Sequence, residues 1–377
     1  MSPQFEIQLI AVIVAVACSL PGVFLVLRKM AMMSDAITHT ILLGIVIAFF
    51  ATNSLTSPLL IVGAAIMGVI TVFLTEMLNS TKLVSEDSAI GIVFPLLFSI
   101  AIIIISKYAG SVHLDTDSVL LGELAFAPFN RMVVMGRDIG PKALYSMGII
   151  LILNILFITI FFKELKIVTF DPALAAVLGF VPTLIHYSLM TVVSITAVGA
   201  FESVGSILVI AFMIGPPVTA YLLTDDLKHL IFISAGVGAV NGILGYQFAH
   251  FFDVSISGSM ALMTGIIFAL VFVFAPKKGL VTTIRRREFQ KLDFAEKSLL
   301  FHIYNHEGDD NECFECGINT IQDHLNWSND FLSKIIEDLK ERNKIFIEDN
   351  TILLTDYGRQ YAAESYREII TGFEESD

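Results

Sequence analysis

Charge is scarce in this sequence. Asp, Glu, Lys and Arg make up only 16% of its 377 residues, 55% are hydrophobic, and mean hydropathy is +0.77. A soluble chain of this length would need far more polar surface. Cysteine is rare too, with three residues in all, which excludes a disulfide-stapled scaffold. No G-x-x-x-x-G-K-[ST] stretch occurs, so the chain lacks a P-loop of its own, and energy for any active process must come from elsewhere. No Lys or Arg precedes the first apolar run, so that run is expected to persist as a helix and not to be cleaved as a signal peptide. Ala15-Val16-Ala17-Cys18 loosely resembles a lipoprotein cleavage site, but without basic residues before it Cys18 is expected to be a buried structural thiol.

Long apolar runs are what the sequence has instead. Residues 89–106, 144–162, 203–223 and 257–275 carry no charge, and about 18 such residues suffice to cross a hydrocarbon core of about 30 Å. Segments 7–27, 36–51, 59–78, 182–200 and 230–252 complete a predicted all-α polytopic membrane protein of about eight or nine transmembrane helices, since in lipid a helix satisfies its own backbone. Lys and Arg gather at alternate span ends: Arg28-Lys29, Lys82, Lys163 and Lys166, Lys228, and the cluster Lys277, Lys278, Arg285, Arg286, Arg287. The positive-inside rule puts those ends in the cytoplasm, the N-terminus outside and the C-terminal region inside the cell membrane. The loop 107–143 then falls outside, although Lys107, Arg131, Arg137 and Lys142 weigh against that placement.

The chain is expected to divide into a transmembrane permease domain over 1–280, a basic linker over 281–291 and a cytosolic domain over 292–377. About ten of the 13 net negative charges lie beyond Thr283. In that acidic tail, 294–307 has helical periodicity, 317–325 reads as a short helix capped by Asn319, and 329–342 as a third helix. Asp349-Asn350 between two β-prone runs signals a hairpin. Helix, helix, turn, helix and hairpin predict a small winged helix-turn-helix domain. DNA is not an expected partner, because phosphate contact needs Lys and Arg and the third helix opens on Asn329, Asp330 and Ser333. Cys313-x-x-Cys316, with His302, His306 and His324 nearby, is a weak soluble metal candidate: one ligand pair is clear where a zinc site usually shows two.

Within the spans, ionisable groups are costly and so are functional candidates. Asp35 and His39 are four residues apart at the head of the second span and share one helix face. With the helix entering near Ala31, His39 lies about 12 Å deep. A carboxylate and an imidazole suit manganese, iron or zinc better than calcium or copper(I). The residues alone leave open an intrahelical contact or a helix cap by Asp35. In the loop 170–179, Asp171 is placed to cap a short helix, Pro172 to open it and Gly179 to end it, with Leu174 and Leu178 between. Glu202, Glu123, Asp115 and Asp117 are further candidates for the approach to a cation pathway.

Residues 22–44, running Gly22-Val23-Phe24-Leu25-Val26-Leu27-Arg28-Lys29-Met30-Ala31-Met32-Met33-Ser34-Asp35-Ala36-Ile37-Thr38-His39-Thr40-Ile41-Leu42-Leu43-Gly44, resemble the signature of permeases in zinc, manganese and iron ABC importers. Gly205-Ser206-Ile207-Leu208-Val209 and Gly215-Pro216-Pro217-Val218-Thr219-Ala220-Tyr221-Leu222-Leu223-Thr224 resemble a second stretch of that family. The resemblance implies that Asp35 and His39 ligate the transported Mn2+, Zn2+ or Fe2+, with Thr38 where Ser is more usual, and that no cofactor is permanently bound. It implies a separate ATP-binding cassette ATPase docked on the 170–179 helix, a second permease subunit, and an extracytoplasmic metal-binding protein. The tail is similar to the DNA-binding domain of diphtheria-toxin-repressor type metal regulators, through 319–325, 339–343 and 353–359. A secondary metal transporter and a membrane-tethered metal-responsive transcriptional regulator are the alternatives.

Overall fold

The computed structural model describes residues 2–53, 57, 59–108, 124–134, 137–309 and 311–374. Chain contacts separate two units, Met1–Gly279 and Leu280–Asp377. In the first, nine helices among the described residues are long and apolar enough to cross a membrane. They are α1 (Pro3–Leu27), α2 (Ala31–Thr52), α3 (Leu59–Ser80), α4 (Glu86–Tyr108), α5 (Lys142–Ile160), α8 (Pro182–Val204), α9 (Ser206–Leu223), α10 (Leu227–Phe252) and α11 (Ile256–Phe274). Two short helices, α6 (Phe162–Phe170) and α7 (Pro172–Val177), join α5 to α8. Helix α1 is the most buried, packing against α10, α9, α5 and α8, while α2 lies among α3, α4, α8 and α9. The outer helices expose Ile, Leu and Phe freely, as in Ile149, Ile152 and Leu156 of α5, which is the surface a lipid solvent demands.

Helix α2 starts at Ala31, earlier than the apolar run beginning at 36. Lys29 takes a left-handed conformation (φ 62°), and the Met30 amide bonds back to Leu25 O at 2.9 Å. That tight reversal lets the new helix begin at once, so Asp35 and His39 sit in its second and third turns. In the loop after α4, residues 109–123 lie outside the described residues. The loop then contains an unforeseen antiparallel hairpin, β1 (Arg131–Val134) with β2 (Arg137–Pro141). Arg131 pairs with Asp138 and with Glu6 (3.3 Å), and Lys142 with Glu202 (2.9 Å). Two of the cations that weighed against an external loop are thus matched by carboxylates.

Prolines inside the spans leave carbonyls without their helical donors, and neighbouring helices respond. Pro21 offers no N–H to Ala17 O; Asn154 of α5, itself fully buried, donates to that oxygen at 2.8 Å and to Thr196 Oγ1 of α8 at 2.9 Å. In α9, Pro217 leaves Met213 O without its donor, and this carbonyl lies so near Gly22 of α1 that a Cβ there would collide with it. Gly205 separates α8 from α9 with φ 79°, a backbone state that a Cβ disfavours.

The second unit comprises α12 (Leu280–His306), α13 (Glu312–Glu315), α14 (Ile321–Leu325), α15 (Asn329–Glu341), the hairpin β3 (Ile345–Glu348) and β4 (Thr351–Leu354), and α16 (Asp356–Glu374). Residues 281–291, expected as a linker, form the opening turns of α12, because 280–306 contains no Gly or Pro to interrupt it. The short helix starts after Thr320, not Asn319, and Thr320 Oγ1 bonds instead to Phe314 O. Asp349 and Asn350 both adopt positive φ, as a two-residue hairpin turn requires. Leu299, Leu300, Ile303, Cys316, Leu332, Ile335, Leu339 and Ile352 form the core. Buried Glu296 is matched by buried Lys344 and by Arg342, so the interior charge is not left alone.

Candidate functional site

On α2, His39 Nε2 stands 3.3 Å from Asp35 Oδ1, as four-residue spacing allows. The pair is not sealed in the helix bundle: the Asp35 side chain is 33% exposed and that of His39 22%. Phe94 and Phe98 of α4 flank the imidazole, with ring centroids at 5.3 and 5.8 Å. The other face of α2 is buried and satisfies its own hydroxyls. Ser34 donates to Ala31 O and Thr38 to Asp35 O, both at 2.8 Å, while Thr71 of α3 donates to Thr40 at 2.7 Å. Thr38 is therefore a packing residue in this arrangement, its hydroxyl turned to the backbone. Asp35 does not cap the helix, whose N-cap is Met30. What remains is an oxygen and a nitrogen donor on an open helix face beside two aromatic rings, half of what a divalent ion needs.

The 170–179 segment forms α7. Asp171 Oδ1 accepts from the Leu174 amide at 2.9 Å, Pro172 occupies the first turn, and Gly179 takes φ 87° just past the end. Phe170, Leu174, Val177 and Leu178 are all exposed, while Ala175 is buried. Sequence reasoning missed the polar network at the base of this helix. Arg28 Nε donates to Thr169 at 3.1 Å and Nη1 to His186 Nδ1 at 3.2 Å. A guanidinium only donates, so His186 keeps its proton on Nε2, which stands 2.5 Å from Glu76 Oε1 of α3. These residues line a cavity of about 400 Å3 with Pro172 and Pro182. The network ties the turn before α2, the bilayer end of α3 and the α7 region together. A lone His near a span end gives no sign of this in sequence, because its partners are 110 or more positions away.

Glu202 forms its ion pair with Lys142 beside a cavity of about 240 Å3 that also includes Asn130, Ser146 and Ser203. Asp115, Asp117 and Glu123 lie outside the described residues. Across the α9–α10 connection, Lys278 binds Asp225 at 2.5 Å and holds its carboxyl below the usual range. In the second unit Cys316 is a core residue, its thiol pushed up to about 11 first by burial and then by the surrounding carboxylates, whereas Cys313 is exposed. The two thiols are not presented together as a thiolate pair.

Nine apolar helices among the described residues, one of them carrying an open carboxylate–imidazole pair, define a polytopic membrane protein of the transport class. Residues 5–275 match the ABC 3 transport family, and the chain belongs to it. It is 48% identical to the manganese transport system membrane protein MntD of Bacillus subtilis, over 76% of this chain and 98% of that one. It is 44% identical to the zinc transport system membrane protein TroD of Treponema pallidum, over 94% of this chain and 96% of that one. The similarity to TroD therefore extends into the C-terminal unit. Among solved structures, PsaBC from Streptococcus pneumoniae in complex with Fab superposes with a TM-score of 0.62 at 29% identity, over 74% of this chain and 94% of that chain.

Proposed function

We propose that this protein is the membrane-spanning permease subunit of an ATP-driven importer of manganese, zinc or a similar divalent metal, and that Asp35 and His39 form half of its transport site. As a member of the ABC 3 transport family it is a transport subunit and not an enzyme, and ATP hydrolysis belongs to a separate ATPase subunit. The observation that carries the site reading is the openness of the Asp35–His39 pair on the face of α2. Two donors hold a divalent ion poorly; a facing permease subunit presenting the same pair would complete four. Iron fits the same donor chemistry, although the names of the two relatives above speak for manganese and zinc. Cells lacking their own uptake, given this chain with its ATPase and extracytoplasmic metal-binding protein, should accumulate labelled manganese or zinc. Accumulation that persists with the ATPase inactivated would exclude the ATP-driven reading in favour of a secondary transporter.

The exposed apolar face of α7, with Phe170, Leu174, Val177 and Leu178, is the docking surface for the ATPase. The Arg28–His186–Glu76 network at its base links that surface to the turn from which α2 springs. The Lys and Arg residues at alternate span ends support a cytoplasmic side for α7 and for the C-terminal unit. The order of helices followed by a hairpin supports a winged-helix reading of the C-terminal unit, and its acidity supports a docking role over DNA binding.

A further inference from the structure

Three histidines surround the Cys313-x-x-Cys316 segment in sequence, and the fold of the C-terminal unit decides which groups meet. One ligand atom each from His302, His306 and Glu315 lies within 4.8 Å of the others, and this is the one such trio among the described residues. His302 and His306 are a helical turn apart on α12, with ring centroids 4.8 Å apart. Glu315 arrives from the end of α13, and His324 of α14 steadies its carboxylate, with Nε2 at 3.3 Å from Oε2.

The hydrogen-bond partners determine where the free lone pairs are. His302 Nε2 lies 3.0 Å from the Glu315 carbonyl oxygen, which only accepts, so Nε2 carries the hydrogen and Nδ1 keeps its lone pair. His306 Nδ1 faces the Asp309 carboxylate at ion-pair distance, 3.3 Å from Oδ2, which leaves Nε2 as the ring nitrogen turned to other partners. Metal-bound imidazoles ordinarily have this arrangement, one nitrogen on the ion and the other donating to a carbonyl or carboxylate.

We propose that the C-terminal unit binds a divalent transition cation through His302, His306 and Glu315, with Asp309 and the Glu315 carbonyl orienting the rings. Two imidazoles and a carboxylate select Zn2+, Mn2+, Fe2+ or Co2+ over Ca2+ and Mg2+, which take oxygen ligands. Thiolates are not in the set: Cys316 is packed in the core, and Cys313 is not among the clustered ligand atoms. Ligand atoms around a bound ion are about 3.4 Å apart for tetrahedral bonds of about 2.1 Å, and half-buried side chains reach that spacing by rotation. The site stands on the C-terminal unit alone and holds whether or not Asp35 and His39 carry cargo.

The test uses the full-length chain with Asp35→Ala and His39→Ala, titrated with Co2+. Trp327, the only tryptophan, lies in the C-terminal unit, so its quenching reports binding there alongside the visible absorption of cobalt. Saturable binding displaced by Zn2+ is expected. Adding His306→Gln, a side chain one-third exposed, should weaken it at least about tenfold, and Asp309→Asn about ten- to a hundredfold. The Trp327 melting transition identifies any variant that fails to fold, in which case exposed Asp309→Asn decides. Absence of Co2+ binding, unchanged affinity in both variants, or an intense thiolate-to-cobalt band would overturn the proposal.

Discussion

An aspartate at the centre of a transmembrane helix costs about 2.5–3.5 kcal/mol on insertion scales, and in the second turn of α2 its contact with His39 at 3.3 Å recovers part of such a cost. A purely structural pair would be better enclosed, whereas this one opens to the face of α2. Asp35→Ala and His39→Ala should each reduce metal uptake to below about a tenth of the parent rate while leaving membrane insertion and ATPase association unchanged. Asp35→Asn keeps an oxygen and removes the charge, so uptake that falls as far as in the alanine variant assigns the role to charge. Uptake at the parent rate in both alanine variants would reduce the pair to an intrahelical contact. At the same scale, Asn154 replaces the donor that Pro21 lacks. Asn154→Leu keeps the volume but strips Ala17 O of its partner, at a cost of about 1–3 kcal/mol, which should appear as an earlier thermal transition of the detergent-solubilised chain.

Helix α7 is too short to be stable alone, and the caps at Asp171 and Gly179 satisfy its ends while it exposes apolar side chains. Leu174→Asp with Leu178→Asp should abolish co-purification of the ATPase and uptake together; retention of both would move the docking surface elsewhere. The α1–α9 crossing depends on the absence of a side chain at Gly22, where the freed Met213 carbonyl is lodged. Gly22→Ala must push the helices apart, at about 1–3 kcal/mol for overpacking, and the thermal midpoint should drop accordingly. An unchanged midpoint would mean that the two helices separate there without cost.

On the scale of the whole molecule, charge is partitioned: a nearly neutral bilayer unit is followed by an acidic C-terminal one. In the latter, Arg359 binds Glu307 at 2.5 Å and lowers its carboxyl from the ordinary 4.5. A depressed carboxylate stabilises the fold above its unfolded pKa, and that contribution is lost as pH falls through the folded value. The melting transition reported by Trp327 should therefore shift down below about pH 4.5, and Glu307→Gln should flatten that acid limb. Identical pH profiles for the two chains would show that the pair contributes nothing. Acidity also argues that the full chain binds duplex DNA weakly near 0.15 M salt, where phosphate contacts are already strongly screened; tight, sequence-selective binding measured by anisotropy would revive the regulator reading.

Apolar run length alone specified the spans, because a bilayer core requires about 20 apolar residues of any helix that crosses it, and the nine helices follow those runs within a few residues. The Asp35–His39 contact was equally legible, since helical periodicity joins residues four apart without help from the rest of the chain. Caps at Asp171 and Gly179 are local chemistry and were read in the same way. Tertiary structure alone decided which distant groups meet. The Arg28–His186–Glu76 network, the Asn154 donor for the Pro21 gap, and the meeting of His302 and His306 with Glu315 all depend on helix packing or chain reversal. Local periodicity carries no information about such partners, because a side chain's neighbours across a crossing are determined by how whole helix surfaces interlock.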